Sequence, residues 1–265
     1  MRWLLVLVAA AAWGQTVVRQ GEVIRVRTPG PAAEARMDGR TIRLFAQPEG
    51  GRLGLMPVKA LTPPGSYPLE LLGSDGKALS SETVTVRDAH YRTQNVVLEK
   101  STAELKPSPG EMDTVEVFLK AVSETRYWQE PLALPVPGCM TSPFGVKRLR
   151  NGKPTGQIHG GIDQRSPAGT PVRAVADGVV KLVKSYNIHG GTVGIDHGQG
   201  LESMYLHLSR FAVAEGAAVH KGDVIGYSGS TGRSNAPHLH WSLYANGVPV
   251  NPRQWVASFS CAVRH

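Results

Sequence analysis

The sequence predicts an all-β protein, with a small N-terminal β-sandwich of Ig-like type and a C-terminal domain of antiparallel sheet, joined by a linker with one short helix. Short runs alternate apolar and polar residues, as in Glu22-Val23-Ile24-Arg25-Val26-Arg27 and Glu82-Thr83-Val84-Thr85-Val86, which is the period of a half-buried strand. Turn signals separate the runs: Asp38-Gly39, Pro63-Pro64-Gly65, Ser74-Asp75-Gly76, Asp177-Gly178 and Asn246-Gly247. A helical spacing appears where Ser108-Pro109-Gly110-Glu111 opens a stretch holding Val115, Leu119 and Val122, and no long helical period appears in the C-terminal half.

Residues 1–14 begin with Met1-Arg2-Trp3, run through Leu4 to Val8 into alanines and end on small residues before Gly14-Gln15. A positive start, a short apolar core and small residues make a secretory signal peptide cleaved near Gly14. The apolar run is shorter than the roughly 20 residues a membrane span needs, so a periplasmic or secreted protein with no stable membrane span is expected. Residues 15–88 form the sandwich, in which no His, Cys or carboxylate residues cluster, and read as an accessory module for positioning or contact. Residues 89–130 are the linker with its helix. Pro131, Pro135, Pro137 and Pro143 then mark entry to the second domain, 131–265. Its expected strands are Val172 to Ala176, Gly178 to Val183, Thr192 to Asp196, Ser203 to Leu208, Val224 to Tyr227 and His238 to Tyr244.

Lys and Arg outnumber Asp and Glu by 29 to 21, a balance that suits an acidic polymer as partner. No dense basic run accompanies it, so no nucleic acid partner is expected, and a monomer is. The only two cysteines, Cys139 and Cys261, sit in a chain expected outside the cytosol, where thiol pairs oxidise. A disulfide between them would close most of the second domain and contribute up to about 4 to 5 kcal/mol in the chain-entropy model.

Chemistry gathers in the second domain. The segments are His159-Gly160-Gly161-Ile162-Asp163, His207 in Tyr205-Leu206-His207-Leu208, His238-Leu239-His240, and Gly229-Ser230-Thr231-Gly232. In a strand His238 and His240 project from one face with Leu239 behind them. A hydrolytic zinc takes about three protein ligands and keeps one position open; His159, Asp163 and one of the paired histidines supply that number. No His-Glu-x-x-His is present, so the glutamate base of helical zinc peptidases is missing, and histidine is the substitute. His207 and the non-ligand member of the pair are the candidates. His90, His189, His197, His220 and His265 fall in linkers, turns or the tail. The loop at Gly229 lacks the lysine and spacing of a phosphate loop and reads as a flexible or tight turn; no Gly-x-Ser-x-Gly elbow exists.

From Pro131 to Pro252 the chain resembles the lysostaphin and LytM-type zinc metalloendopeptidases, which open cell-wall peptides on a fold known as the duplicated hybrid motif. The likeness rests on Ser142-Pro143-Phe144-Gly145, Asn151-Gly152-Lys153-Pro154, His159-x-x-x-Asp163, Ala176-Asp177-Gly178-Val179-Val180, Tyr205-Leu206-His207-Leu208, Lys221-Gly222-Asp223-Val224-Ile225-Gly226 and Pro237-His238-Leu239-His240-Trp241. It implies that His159, Asp163 and His240 bind one Zn2+, that His207 and His238 are catalytic, and that Asn151 and Tyr205 contact the substrate, the peptides of peptidoglycan. Similar proteins read Ser-Thr-Gly or a close variant where this chain has Ser234-Asn235-Ala236. The rival expectation is a non-catalytic wall-binding or amidase-activating protein on the same fold; such relatives typically lose ligands, whereas all five residues stand here.

Overall fold

A computed structural model describes residues 16–259. The expected signal peptide and Cys261 lie outside them. Cys139 is disulfide-bonded.

The N-terminal module has a five-stranded sheet, in the order Thr16–Arg19, Ala78–Arg87, Gly65–Leu72, Glu34–Met37, Arg40–Arg43, and a three-stranded sheet of Val23–Thr28, Arg52–Pro57 and Phe45–Ala46. Alternation does what the sequence dictates. Val18, Ala35, Met37, Leu69, Val84 and Val86 of one sheet bury against Ile24, Val26 and Met56 of the other. One pair departs from the antiparallel expectation: Thr16–Arg19 runs parallel to Val84–Arg87.

The second module is built on a sheet in the order Met140–Ser142, Ile162–Arg165, His238–Ala245, Leu201–Leu208, Gly190–Gly198, Gly178–Tyr186, Ala218–Val219, with Val248–Val250 also paired to His238–Ala245. Its two central strands, Gly190–Gly198 and Leu201–Leu208, are buried along their whole length. Such strands must be covered on both faces. The main core, including Ile162, Tyr205, Leu239 and Trp241, covers one face. The helix Glu111–Lys120 covers the other by packing Val115 and Phe118 on Leu182, Tyr186, Met204 and Leu206. Val122 lies beyond the end of that helix, because Ala121 is already extended.

Residues 89–130, expected as a linker, are part of the packed structure. Thr93–Val96 pairs in parallel with Lys147–Arg150, and Tyr91 packs edge-on to Phe144 at 6.1 Å. Val23, Leu53 and Leu55 of the first module share a core with Trp128, Leu132 and Trp255. The Gln254 amide also bonds the Val23 main chain in both directions, at 2.8 and 2.9 Å. Contact across modules therefore starts from buried apolar area, the large term in such packing. The composition of the segment is polar enough to read as a tether, and only its long-range pairing reveals otherwise.

Glu202, on the strand that carries His207, stands opposite Asp196, and neither of its carboxyl oxygens has a hydrogen-bond partner among the described residues. Burial first, and then the Asp196 carboxylate, push its pKa well above the ordinary value. A raised folded-state pKa means the native state binds the extra proton, so stability falls as pH rises above the unfolded value of about 4.3. Glu202→Gln is expected to raise the Tm at pH 7 by a few degrees, the size about 1 kcal/mol brings in a chain of this length, and to change little near pH 3. Thermal melts at the two pH values check this.

Candidate metal centre

Strand register brings the expected ligands together. Asp163 stands directly opposite His240 in the pair Ile162–Arg165 and His238–Ala245, and directly opposed residues share a sheet face. His159 enters from the turn just before. Gly161 makes that turn fit: a Cβ there would meet Ser242 Oγ and the Trp241 carbonyl at 2.4 Å and His240 Nε2 at 2.7 Å. Leu239 is fully buried behind the two histidines, as strand alternation requires.

His159 Nε2 lies 3.0 Å from Asp163 Oδ1 and 3.0 Å from His240 Nδ1, and His240 Nδ1 lies 2.8 Å from Asp163 Oδ1. His159 Nδ1 faces the Pro143 carbonyl at 2.9 Å. A carbonyl only accepts, so it claims the one N–H of a neutral imidazole and leaves Nε2 as a lone pair pointing at a carboxylate oxygen. Donors around a four-coordinate zinc stand about 3.3 Å apart, given bonds of about 2.0–2.1 Å. Three converging potential ligand atoms at nearly that spacing, one of them on a ring backed by a carbonyl as metal-bound histidines are, fit a cation. Burial alone would raise the Asp163 pKa, but His159 and His240 outweigh it and hold the carboxyl well below its usual range. Arg148 Nη2 donates to Asp163 Oδ2 at 2.8 Å and fixes the far side of the carboxylate.

Two more imidazoles flank this group. His238 Nε2 lies 3.7 Å from Asp163 Oδ1, and the ring centroids of His207 and His238 are 4.9 Å apart. Burial, then His238 and His240, push the His207 pKa down to about 3, so it is neutral at pH 7. His207 has φ 62° and sits in a β-bulge: between Tyr205 and Leu208 its strand carries three steps against two from Val193 to Gly191 on the partner. A bulge re-aims a side chain, and that resolves where the sequence reading errs. Regular alternation puts Tyr205 on the His207 face as a substrate contact. Instead Tyr205 is fully buried in the core, its hydroxyl accepting from Val175 N at 3.0 Å, with no surface left to offer a substrate. Asn151 departs as well. Its amide is committed to the Leu98 main chain, accepting at 2.8 Å and donating at 3.0 Å, so it anchors the segment beside the cleft.

Residues outside the sequence reading hold His207 in place. Its Nδ1 donates to the Thr231 carbonyl at 2.8 Å, and its main-chain N–H donates to the His189 carbonyl at 3.0 Å. The loop at Gly229, read as a flexible or tight turn, is thus the support of an imidazole. His189 is held in turn by Glu111, whose carboxylate takes the N–H groups of Ser108, Ile188 and His189 and the His189 ring at 2.6 Å. Burial opposes ionisation of Glu111, yet these partners lower its pKa. The Ser-x-x-Glu pattern at a helix start is a signal that could have drawn attention to Glu111, though its partners lie far away in sequence. All five site residues line one cavity of about 240 Å³, with Val96, Leu98 and Arg233 on its walls.

Residues 157–252 match Peptidase family M23. A stretch of 113 residues is 50% identical to the DD-carboxypeptidase/endopeptidase Mpg of Neisseria meningitidis serogroup B, covering 43% of this chain and 26% of that protein. Another alignment, of 112 residues, is 41% identical to the peptidoglycan DD-endopeptidase ShyA of Vibrio cholerae, covering 42% and 26%. The chain thus spans about a quarter of the length of these relatives, 26% of each. Over most of its length it superposes on a crystal structure described as a peptidase M23 from Pseudomonas aeruginosa, with a TM-score of 0.69 and 28% identity over 91% of this chain and 95% of that one. Among the described residues no helix is long and apolar enough to cross a membrane.

Glu111→Gln keeps the shape of the side chain and removes its charge. It is expected to cost about 1–3 kcal/mol and to speed amide hydrogen exchange at Ile188, His189 and His207 more than in the N-terminal sandwich. Exchange followed by mass spectrometry, beside a chemical denaturation curve, reads both.

Proposed function

We propose, from the premise that residues 157–252 form a peptidase family M23 domain, that this chain is an exported zinc metalloendopeptidase that hydrolyses peptide cross-links of bacterial peptidoglycan. The observation that carries the reading is the convergence of His159, Asp163 and His240 within one cleft that also presents His207 and His238. Cross-links of D-residues are the favoured substrate over glycine bridges, a choice the names of the two relatives support. The N-terminal module is read as an Ig-like accessory domain, and residues 1–14 as the export signal.

His159, Asp163 and His240 would hold the Zn2+. Bound there, the ion would polarise the scissile carbonyl and bring the pKa of a water toward about 7. His207 moves the proton. Its Nδ1–H is held by Thr231, which leaves Nε2 as the free lone pair; weakly basic by itself, it would take the proton only of a water already acidified by the bound ion. His238, whose Nδ1 faces the Ala236 carbonyl at 2.8 Å, is the more exposed of the two rings. It would hydrogen-bond the developing oxyanion, and the proton taken up by His207 would then pass to the leaving amine. Main-chain holding of both rings fixes their direction before substrate arrives, which lowers the reorganisation that the reaction requires.

His159→Ala and Asp163→Ala are expected to purify without zinc. His207→Ala and His238→Ala are expected to keep it and to lose turnover by about 10²- to 10⁴-fold, the usual worth of a positioned acid or base. Elemental analysis beside a rate assay separates the two sets; equal zinc loss in all four variants would remove the division of roles. Purified protein incubated with purified wall peptides should release a new amine at a D-residue cross-link, read as fragments by mass spectrometry. Intact cross-links after long incubation with zinc-loaded protein would overturn the substrate.

A further inference from the structure

Beyond the metal centre the cleft continues. A second pocket of about 420 Å³ shares Arg150, Thr155, Gln157 and Arg233 with the cavity that holds the five site residues. The charge around it is one-sided. Arg150 stands directly opposite Lys153 in the hairpin of Lys147–Arg150 and Lys153–Ile158, and like charges so placed repel. Arg233 adds a second guanidinium; burial, and then Arg150, lower its pKa.

None of these three cations makes an ion pair among the described residues. Arg148, two residues before Arg150, is by contrast paired with Asp163. Glu111 is the acid whose charge reaches Arg233, but its carboxylate is committed to Ser108, Ile188 and His189. Arg233 donates through Nη2 to the Leu105 carbonyl, while its Nε is buried with no hydrogen-bond partner among the described residues. An unpaired buried donor costs free energy, and so does crowding like charges around one pocket. A single anion in the pocket relieves the crowding of like charge around it.

We propose that Arg150 and Arg233, with Lys153 beside them, form a carboxylate subsite that takes a free carboxylate of the peptide bound across the metal centre. The guanidinium fork matches a carboxylate in two parallel hydrogen bonds, which an uncharged carboxamide cannot replace. The inference rests on the peptidase reading above and extends it: the cleft selects peptides that carry a free carboxylate next to the bond to be cut over the same peptides with that group amidated.

The test is binding, read without turnover. The probe is a tripeptide ending in two D-alanines whose last amide carbonyl is replaced by a methylene, so that it cannot be hydrolysed, prepared as the free acid and as the C-terminal amide. Calorimetric titration of the zinc-loaded full chain is expected to show the acid binding at least tenfold more tightly. Arg150→Gln combined with Arg233→Gln should weaken the acid to the level of the amide and leave the amide unchanged, with thermal melts checking the fold. Lys153→Gln, at an exposed position, should reduce the preference severalfold and decides the matter should the double variant fail to fold. Equal binding of acid and amide by the parent chain, or a preference that survives these substitutions, overturns the subsite. Hydrolysis of the ordinary acid tripeptide and of a D-residue cross-linked peptide is followed separately; failure to cut either counts against the peptidase reading alone.

Discussion

The candidate metal centre rests on an electrostatic constraint: two imidazole nitrogens and a carboxylate oxygen are packed within 3.0 Å of one another in a buried place. A cation among them would be drawn by the Asp163 carboxylate in a medium that screens poorly. The surroundings are arranged to keep that geometry. Pro143 fixes the His159 ring, Arg148 holds the outer oxygen of Asp163, and Ser242 Oγ lies 2.9 Å from His240 Nε2. Each ligand therefore has a partner on its far side, which is how outer contacts orient metal ligands.

The flanking imidazoles follow a different logic, because proton exchange, the role proposed for them, needs rings directed into the cleft. His207 is aimed by a bulge and a left-handed backbone, a conformation that a non-glycine residue keeps only when its surroundings over-determine it. Here the surroundings are the Thr231 and His189 carbonyls, and the second of these depends on Glu111 at the start of the only helix that covers the outer face of the sheet among the described residues. The packing of that helix and the placement of the His207 ring thus share one buried carboxylate. The same segment of chain, through Thr93–Val96, extends the sheet that bears Arg148 and Arg150.

Charge divides the cleft into two regions. At the metal centre the acidic ligand is balanced by Arg148; further along, the cations have no acidic partner among the described residues. A peptide lying across both would meet neutralised charge at the reacting bond and excess positive charge beside it. The proposed reaction and the proposed selection would thereby rest on separate side chains.

Much of this was legible in the sequence. Alternation marked the strands because side chains project with period two, and it correctly set His238 and His240 on one face with Leu239 buried behind. The ligand set was legible as His159, Asp163 and one of the paired histidines, although the choice of His240 over His238 came from resemblance and not from spacing. What sequence alone could not decide depends on contacts between distant segments. The bulge that parts His207 from Tyr205, the capture of Asn151 by Leu98, the docking of residues 89–130 and the gathering of Arg150 with Arg233 arise from strand register and long-range packing. No local pattern encodes these, since register is set jointly by both partners of a pair. The sequence by itself determined which side chains could bind a metal and move protons; the tertiary structure decided which of them meet, because convergence is a property of how strands are paired and not of how residues are spaced.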